Sequence, residues 1–160
     1  MVRGMALKRL ITWIFWGVVL HGLLSVAFAA QPPDWNSVAI EWNDYSQGIK
    51  IAQQNNKPIM IIFYADWCPT CHAYKNIFNK PSVIALAKKL VMIKVNVDQF
   101  PQLSQQFEFD GSYVPRTFVM NSDGVVFAAL YPEKRYKYFI KAQDVESFEK
   151  LMAAAVAQAG

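Results

Sequence analysis

Residues 59–64, Ile-Met-Ile-Ile-Phe-Tyr, form an uninterrupted apolar run that ends shortly before Cys68, the first of only two cysteines in the 160-residue chain. Bounded upstream by Asn55, Asn56 and Pro58, such a run predicts a strand buried on both faces, which demands a layer of structure on each side of a sheet. Immediately afterwards Cys71, Tyr74, Ile77 and Phe78 recur at helical spacing until Asn79 and Pro81 stop the pattern. A buried strand therefore turns sharply into a helix. Cys68 falls at or near the helix N-cap, and Pro69 takes the first helical position, where its missing N–H costs nothing.

That placement gives the cysteines a chemistry. A thiolate is the nucleophile in disulfide exchange, a free cysteine titrates near pH ~8.5, and the unpaired N–H groups and dipole of a helix N-terminus favour ionised sulfur. Cys68 is the expected attacking thiol. Cys71 follows three residues later, about one turn along the same face, where it can attack a mixed disulfide on Cys68 and release the substrate. A structural staple is the competing reading, but a bridge enclosing only two residues constrains an unfolded chain far less than a long loop does.

Trp67-Cys68-Pro69-Thr70-Cys71 after a buried strand, together with Val114-Pro115 ahead of another strand, resembles the thioredoxin superfamily over about residues 40–130. Lys57-Pro58-Ile59 through Ala65-Asp66-Trp67-Cys68 is most similar to the C-terminal thioredoxin-like domain of bacterial transmembrane thiol:disulfide interchange reductases. Tyr113-Val114-Pro115-Arg116 and residues 136–139 also resemble small thioredoxin-like proteins of the eukaryotic secretory pathway. The resemblance implies an α/β thioredoxin-like fold with a central mixed β-sheet flanked by helices. It further implies a cis peptide at Pro115 that presents the Val114 backbone to an extended substrate segment, with Trp67 bordering the same groove; core packing is the alternative for Trp67. No cofactor beyond a Cys68–Cys71 redox-active disulfide is implied. The implied partners are protein thiols or disulfides and a membrane-bound redox protein.

Two positions depart from the family pattern. Where relatives carry a buried aspartate six residues before the first cysteine, this chain has Ile62, and the nearest upstream carboxylate, Asp66, is expected at the surface. Arg116 stands where a small residue commonly follows the proline, and is expected either to bias the groove toward acidic partners or to face solvent.

Cys68-Pro69-Thr70-Cys71-His72 also fits covalent attachment of c-type haem, with His72 as an axial ligand. The flanking strand and the Val-Pro segment suit a redox fold and are not needed for haem, so His72 is expected to be a solvent-facing helix residue. Structural zinc wants four ligands, and beyond the leader only two cysteines and this one histidine are present. No metal site is expected.

Arg3, Lys8 and Arg9 precede an apolar stretch over residues 10–28, and Ala27-Phe28-Ala29 has small residues at both critical positions of a signal-peptidase site. Residues 1–29 thus read as an export signal, with an uncleaved inner-membrane anchor as the alternative given the length of the stretch. A periplasmic location is expected. Residues 30–39, with Pro32 and Pro33, read as a short tether before a single domain over residues 40–160. Three of the 16 basic residues lie in the leader, leaving 13 against 12 acidic ones. Near-neutrality and the lack of a basic run with interleaved aromatics exclude nucleic acid as an expected partner.

The rest of the chain predicts a scaffold. A short strand over 40–42 precedes a helix with Trp42, Tyr45, Ile49 and Ala52 on one face, and Ser82 caps a short helix carrying Val83, Leu86 and Ala87. Residues 91–97 alternate as a strand, 103–107 suggest a brief helix, and strands over 117–120 and 125–130 flank Asn121-Ser122-Asp123-Gly124 as a hairpin. Asp144 caps a last helix whose Val145, Phe148, Met152 and Val156 face the core. The aromatic and basic stretch 131–141 is expected to be a loop covering a sheet edge, with docking of a protein partner as its alternative. The order describes a mixed sheet covered by helices. Functionally the chain reads as an exported thiol:disulfide oxidoreductase working in the reducing direction, with an oxidant or isomerase, and a non-catalytic binding module, as alternatives.

Overall fold

The computed structural model describes residues 34–158. The expected leader or anchor and the first residues of the tether lie outside the described residues. Among the described residues, no helix is long and apolar enough to cross a membrane.

β2 (Ile59–Tyr64) is the central strand, and Ile59 through Phe63 are each 0% exposed. It pairs in parallel with β3 (Val91–Asn96) and antiparallel with β4 (Arg116–Met120), with Ile62 opposite Lys94 on one side and Thr117 on the other. β1 (Trp42–Asn43) adds to β3 in parallel, giving the order β1-β3-β2-β4. The sheet is mixed and layered on both faces, as the unbroken apolar run requires.

α1 (Tyr45–Asn55) starts at Asp44, whose Oδ1 accepts the Gln47 N–H at 2.8 Å, and stops at Asn56 in the left-handed region at φ 49. It presses on β3 through Gly48: a Cβ there would stand 2.4 Å from Ile93 Cδ1, so any larger residue would have to displace that buried side chain. The face bearing Ile62 and Thr117 is covered by α2 (Pro69–Tyr74), a 3-10 turn at Lys75–Asn79, α3 (Pro81–Ala87) and α5 (Val145–Gln158). Tyr74, Phe78 and Phe148 meet edge to face there, with centroids 5.6 to 6.1 Å apart. α5 is capped by Asp144 Oδ1, which accepts the Ser147 N–H at 3.1 Å.

Several expectations are corrected. The segment expected as a tether is part of the packed unit from Asp34 on: Trp35 is 3% exposed and its ring lies 5.0 Å from Tyr64, 5.5 Å from Phe78 and 5.8 Å from Trp42. The first strand is Trp42–Asn43, displaced toward the helix. α3 begins at Pro81 without a side-chain cap, and the Ser82 hydroxyl instead donates to the Glu149 carboxylate on α5. α4 (Pro101–Gln106) starts earlier than expected, with Pro101 in its first turn.

The largest difference is the hairpin. Past the turn only a single bridge, Met120 to Val126, forms, and residues 128–130 are a 3-10 turn. The outer edge of β4 is completed by scattered groups: Phe127 N–H donates to Val119 O at 3.0 Å and Thr117 N–H to Tyr138 O at 2.8 Å. The Tyr131 hydroxyl fills the gap, accepting Val119 N–H at 2.7 Å and donating to Thr117 O at 3.1 Å. One side chain thus satisfies a donor and an acceptor that a fifth strand would otherwise pair, as buried backbone groups require. Residues 131–138 cover this edge as a loop, as their composition predicts.

Candidate active site

The site sits where β2 hands over to α2. Cys68 is the N-cap of α2 at φ −85 and ψ 109, Pro69 opens the helix, and the Cys71 N–H donates to Cys68 Sγ at 3.1 Å. A backbone N–H aimed at a sulfur stabilises negative charge on it. Cys68 is 4% exposed and Cys71 0%, both as free thiols. Burial, and then the contact with Cys68, push the Cys71 thiol up to about 12. The two sulfurs are chemically unequal.

Across from Cys68 lies the loop before β4. The Val114–Pro115 peptide is cis, and Val114 O lies 3.7 Å from Cys68 Sγ, in reach of the weak S–H donor. Pro115 is buried and Val114 half-buried against the cysteine cluster. Trp67 is 67% exposed, which excludes the core alternative, and its indole N–H donates to Asp98 Oδ2 at 2.9 Å. The structure therefore brings Trp67, Cys68, Cys71, Val114 and Pro115 to one corner.

The departures from the family pattern resolve differently. Ile62 is fully buried, and Asp66 is exposed, its Oδ2 accepting Asn96 Nδ2 at 2.8 Å. The His72 ring is exposed and folds back so that Nε2 lies 2.6 Å from Asp66 O. A carbonyl oxygen only accepts, so Nε2 carries the proton. Among the described residues, no group of three or more His, Cys, Asp or Glu side chains is arranged to hold a metal.

Both expectations for Arg116 are overturned. Its side chain is 0% exposed and lies under the loop, donating to Gly111 O at 3.0 Å, Phe107 O at 3.2 Å, Ser104 O at 3.4 Å and the Ser104 hydroxyl. The guanidinium also lies 5.1 Å from the Phe63 ring centroid and 3.9 Å from the Glu108 carboxylate. A rigid fork of planar donors reaches carbonyls spread over residues 104–111, a span that the compact ammonium of a lysine covers less well. Arg116 is an internal clamp between β4 and residues 104–111.

Asp110 completes the loop and is invisible to motif reading. Its two oxygens accept the Tyr113 hydroxyl at 2.8 and 2.9 Å, and Oδ2 also accepts the Lys137 N–H at 2.7 Å. The only available signal is an acid three residues before a tyrosine that flanks the Val-Pro pair.

One thiol caps a helix at a strand-to-helix corner and faces a cis-proline loop, and a second is enclosed beneath it; this arrangement is suited to thiol–disulfide exchange. The chain belongs to the thioredoxin-like family, whose model matches residues 40–122. It is 30% identical over 123 residues to anterior gradient protein 2-B of Xenopus laevis, covering 73% of this chain and 72% of that one. It is 38% identical over 55 residues to the thiol:disulfide interchange protein DsbD of Vibrio vulnificus, covering 34% of this chain and 9% of that protein. The chain spans about half the length, 51%, of the plant H-type thioredoxins that it also matches. Among solved structures, a thioredoxin from Thermus thermophilus superposes with a TM-score of 0.58 at 18% identity, over 76% of this chain and 91% of that one.

Proposed function

We propose that this protein is an exported thiol:disulfide oxidoreductase that reduces disulfides in other proteins. The observation that carries the reading is the asymmetry of the pair: Cys68 Sγ caps the helix, receives the Cys71 N–H and faces the Val114 carbonyl, while Cys71 is fully buried beneath it. Cys68 attacks one sulfur of a substrate disulfide, forming a mixed disulfide and expelling the other sulfur as a thiolate. Cys71 then gives up its proton and attacks Cys68 Sγ, closing the Cys68–Cys71 disulfide and releasing the second substrate sulfur. Two electrons pass from the dithiol to the substrate. A dithiol on a membrane protein would restore the pair, and no further cofactor takes part.

Val114 and Pro115 line the groove that receives the substrate backbone, with Trp67 at its border. Export rests on Arg3, Lys8 and Arg9 ahead of the apolar stretch and on Ala27-Phe28-Ala29 after it. It places the domain in the periplasm, free after cleavage or held at the inner membrane. The reducing direction is supported by the similarity to the interchange protein. The haem reading has two observations against it: Cys71 is wholly enclosed, and the Nε2 of His72 is already spent on Asp66 O.

The test is equilibration of the purified protein with glutathione buffers, together with turnover of a disulfide-bonded protein by wild type and Cys68→Ser. We expect a potential toward the thioredoxin end of the known range, about −270 mV, and no turnover by the variant. A value near the strong oxidants, about −120 mV, overturns the direction. Activity that survives Cys68→Ser overturns the enzyme itself.

A further inference from the structure

Beside the cysteine corner is a second exposed feature that redox chemistry does not use. Tyr113, the residue before Val114, meets Tyr136 with centroids 4.7 Å apart and rings at 71°, and the Arg135 guanidinium lies 4.7 Å over the Tyr136 ring. Tyr136 is 40% exposed and sits at φ 57, a left-handed conformation uncommon for a bulky aromatic residue. Such a conformation persists only where the surroundings over-determine it, and functional sites are where it concentrates.

The surroundings here do so. The Asp110 carboxylate ties Tyr113 to the Lys137 N–H, Tyr138 N–H donates to the Tyr113 hydroxyl at 3.2 Å, and Phe139 N–H donates to Tyr136 O at 3.0 Å. The ring and its stacked cation are thus held outward by the same loop that sets Val114 against Cys68. Charge on this face is unbalanced. Lys137 has Glu133 at 3.8 Å, and Asp110 is occupied, but neither Lys134 nor Arg135 has a carboxylate within 4.0 Å among the described residues.

We propose that Tyr113, Tyr136 and Arg135 form a recognition shelf that selects disulfide substrates carrying an acidic residue beside an apolar one near the reactive cysteine. The proposal rests on the oxidoreductase reading and names its substrate class. Val114 O lies 3.7 Å from Cys68 Sγ and its neighbour Tyr113 meets Tyr136, so an extended segment lying along Val114, rising about 3.3 Å per residue, runs on toward the shelf. The guanidinium stacked on Tyr136 keeps its edge free to bind a carboxylate through paired N–H donors, while the exposed part of the ring takes the apolar neighbour.

The experiment compares two disulfide-linked peptides of equal length, each with a phenylalanine three residues from the cysteine, one with two adjacent glutamates and the other with two lysines. Wild type, Arg135→Glu, Arg135→Lys and Tyr136→Ala are assayed, each normalised to its own rate on a small uncharged dialkyl disulfide. We expect wild type to favour the acidic peptide by about tenfold in kcat/KM through KM, with the preference shrinking as salt rises. Arg135→Glu should reverse the preference, Arg135→Lys should keep part of it, and Tyr136→Ala should raise KM for both peptides. Equal use of the two peptides by wild type, or a preference that survives Arg135→Glu, overturns the shelf while leaving the oxidoreductase reading intact. A wild type inert toward the small disulfide overturns both. Sedimentation covers the remaining occupant: a wild-type dimer that Arg135→Glu dissociates assigns this face to a second copy and overturns the proposal.

Discussion

The corner at Cys68 ends the central strand and the outer edge of β4 bounds the same sheet, yet they are built by opposite means. The corner is made of neighbours in sequence: a strand, an N-cap sulfur, a proline at the first helical position and a bond from the Cys71 N–H three residues on. The β4 edge is made of distant groups: the Tyr131 hydroxyl, the Tyr138 carbonyl and the Phe127 N–H satisfy the strand's backbone atoms one at a time, while Arg116 and Asp110 tie down the loops beside it. Regular ladders spread their hydrogen bonds over many residues. An edge assembled from single side chains concentrates them, so each is expected to matter more.

The strongest challenge to that contrast is Arg116→Met. Removing the clamp strands the carbonyls of Ser104, Phe107 and Gly111 beneath the loop, and a loss of about 3–5 kcal/mol in denaturant unfolding is expected. A loss under about 1 kcal/mol would mean the loop is held without it. Tyr131→Phe is a finer probe, since only one oxygen disappears while Val119 N–H and Thr117 O lose their partner. It should cost about 2 kcal/mol, with faster hydrogen exchange at Val119 and little change elsewhere.

On the corner side the expected effect is on rate. The Cys71 thiol is held up to about 12 by burial, so its thiolate fraction rises nearly tenfold per pH unit, about 1.4 kcal/mol each, throughout the neutral and mildly alkaline range. Decay of a preformed mixed disulfide on Cys68 should accelerate accordingly between pH 7 and about 9, and a flat profile would show that Cys71 is already ionised. Linkage has the matching sign. The raised thiol keeps its proton in the folded state after the unfolded chain has lost it, so its contribution to the stability of the dithiol form is complete below the ordinary thiol value of 9.0 and is lost as pH rises toward 12.

The same contrast decides what is legible in the sequence. The corner is legible because its signals are local: an apolar run, a helical repeat and a proline at a fixed offset. The β4 edge is not. Residues 125–130 have the composition of a strand, and the turn before them suits a hairpin, yet the Tyr131 hydroxyl occupies the bonds that a paired strand would make. Nothing in a linear pattern announces a bond from a side chain twelve residues away to a backbone amide. Arg116 is misread for a related reason. An arginine beside a substrate loop suggests the surface, and only the carbonyls that converge from residues 104–111 explain its burial.

Trp35 shows that kinship and architecture draw different borders. The family match opens at residue 40 and closes at 122, whereas the indole of Trp35 is wedged among three other aromatic rings and α5, from Val145 on, packs beneath the sheet. Trimming an expression fragment to the homologous stretch would amputate a keystone at one end and a wall at the other. The stretch that the family model matches is smaller than the unit that this chain must keep to stand.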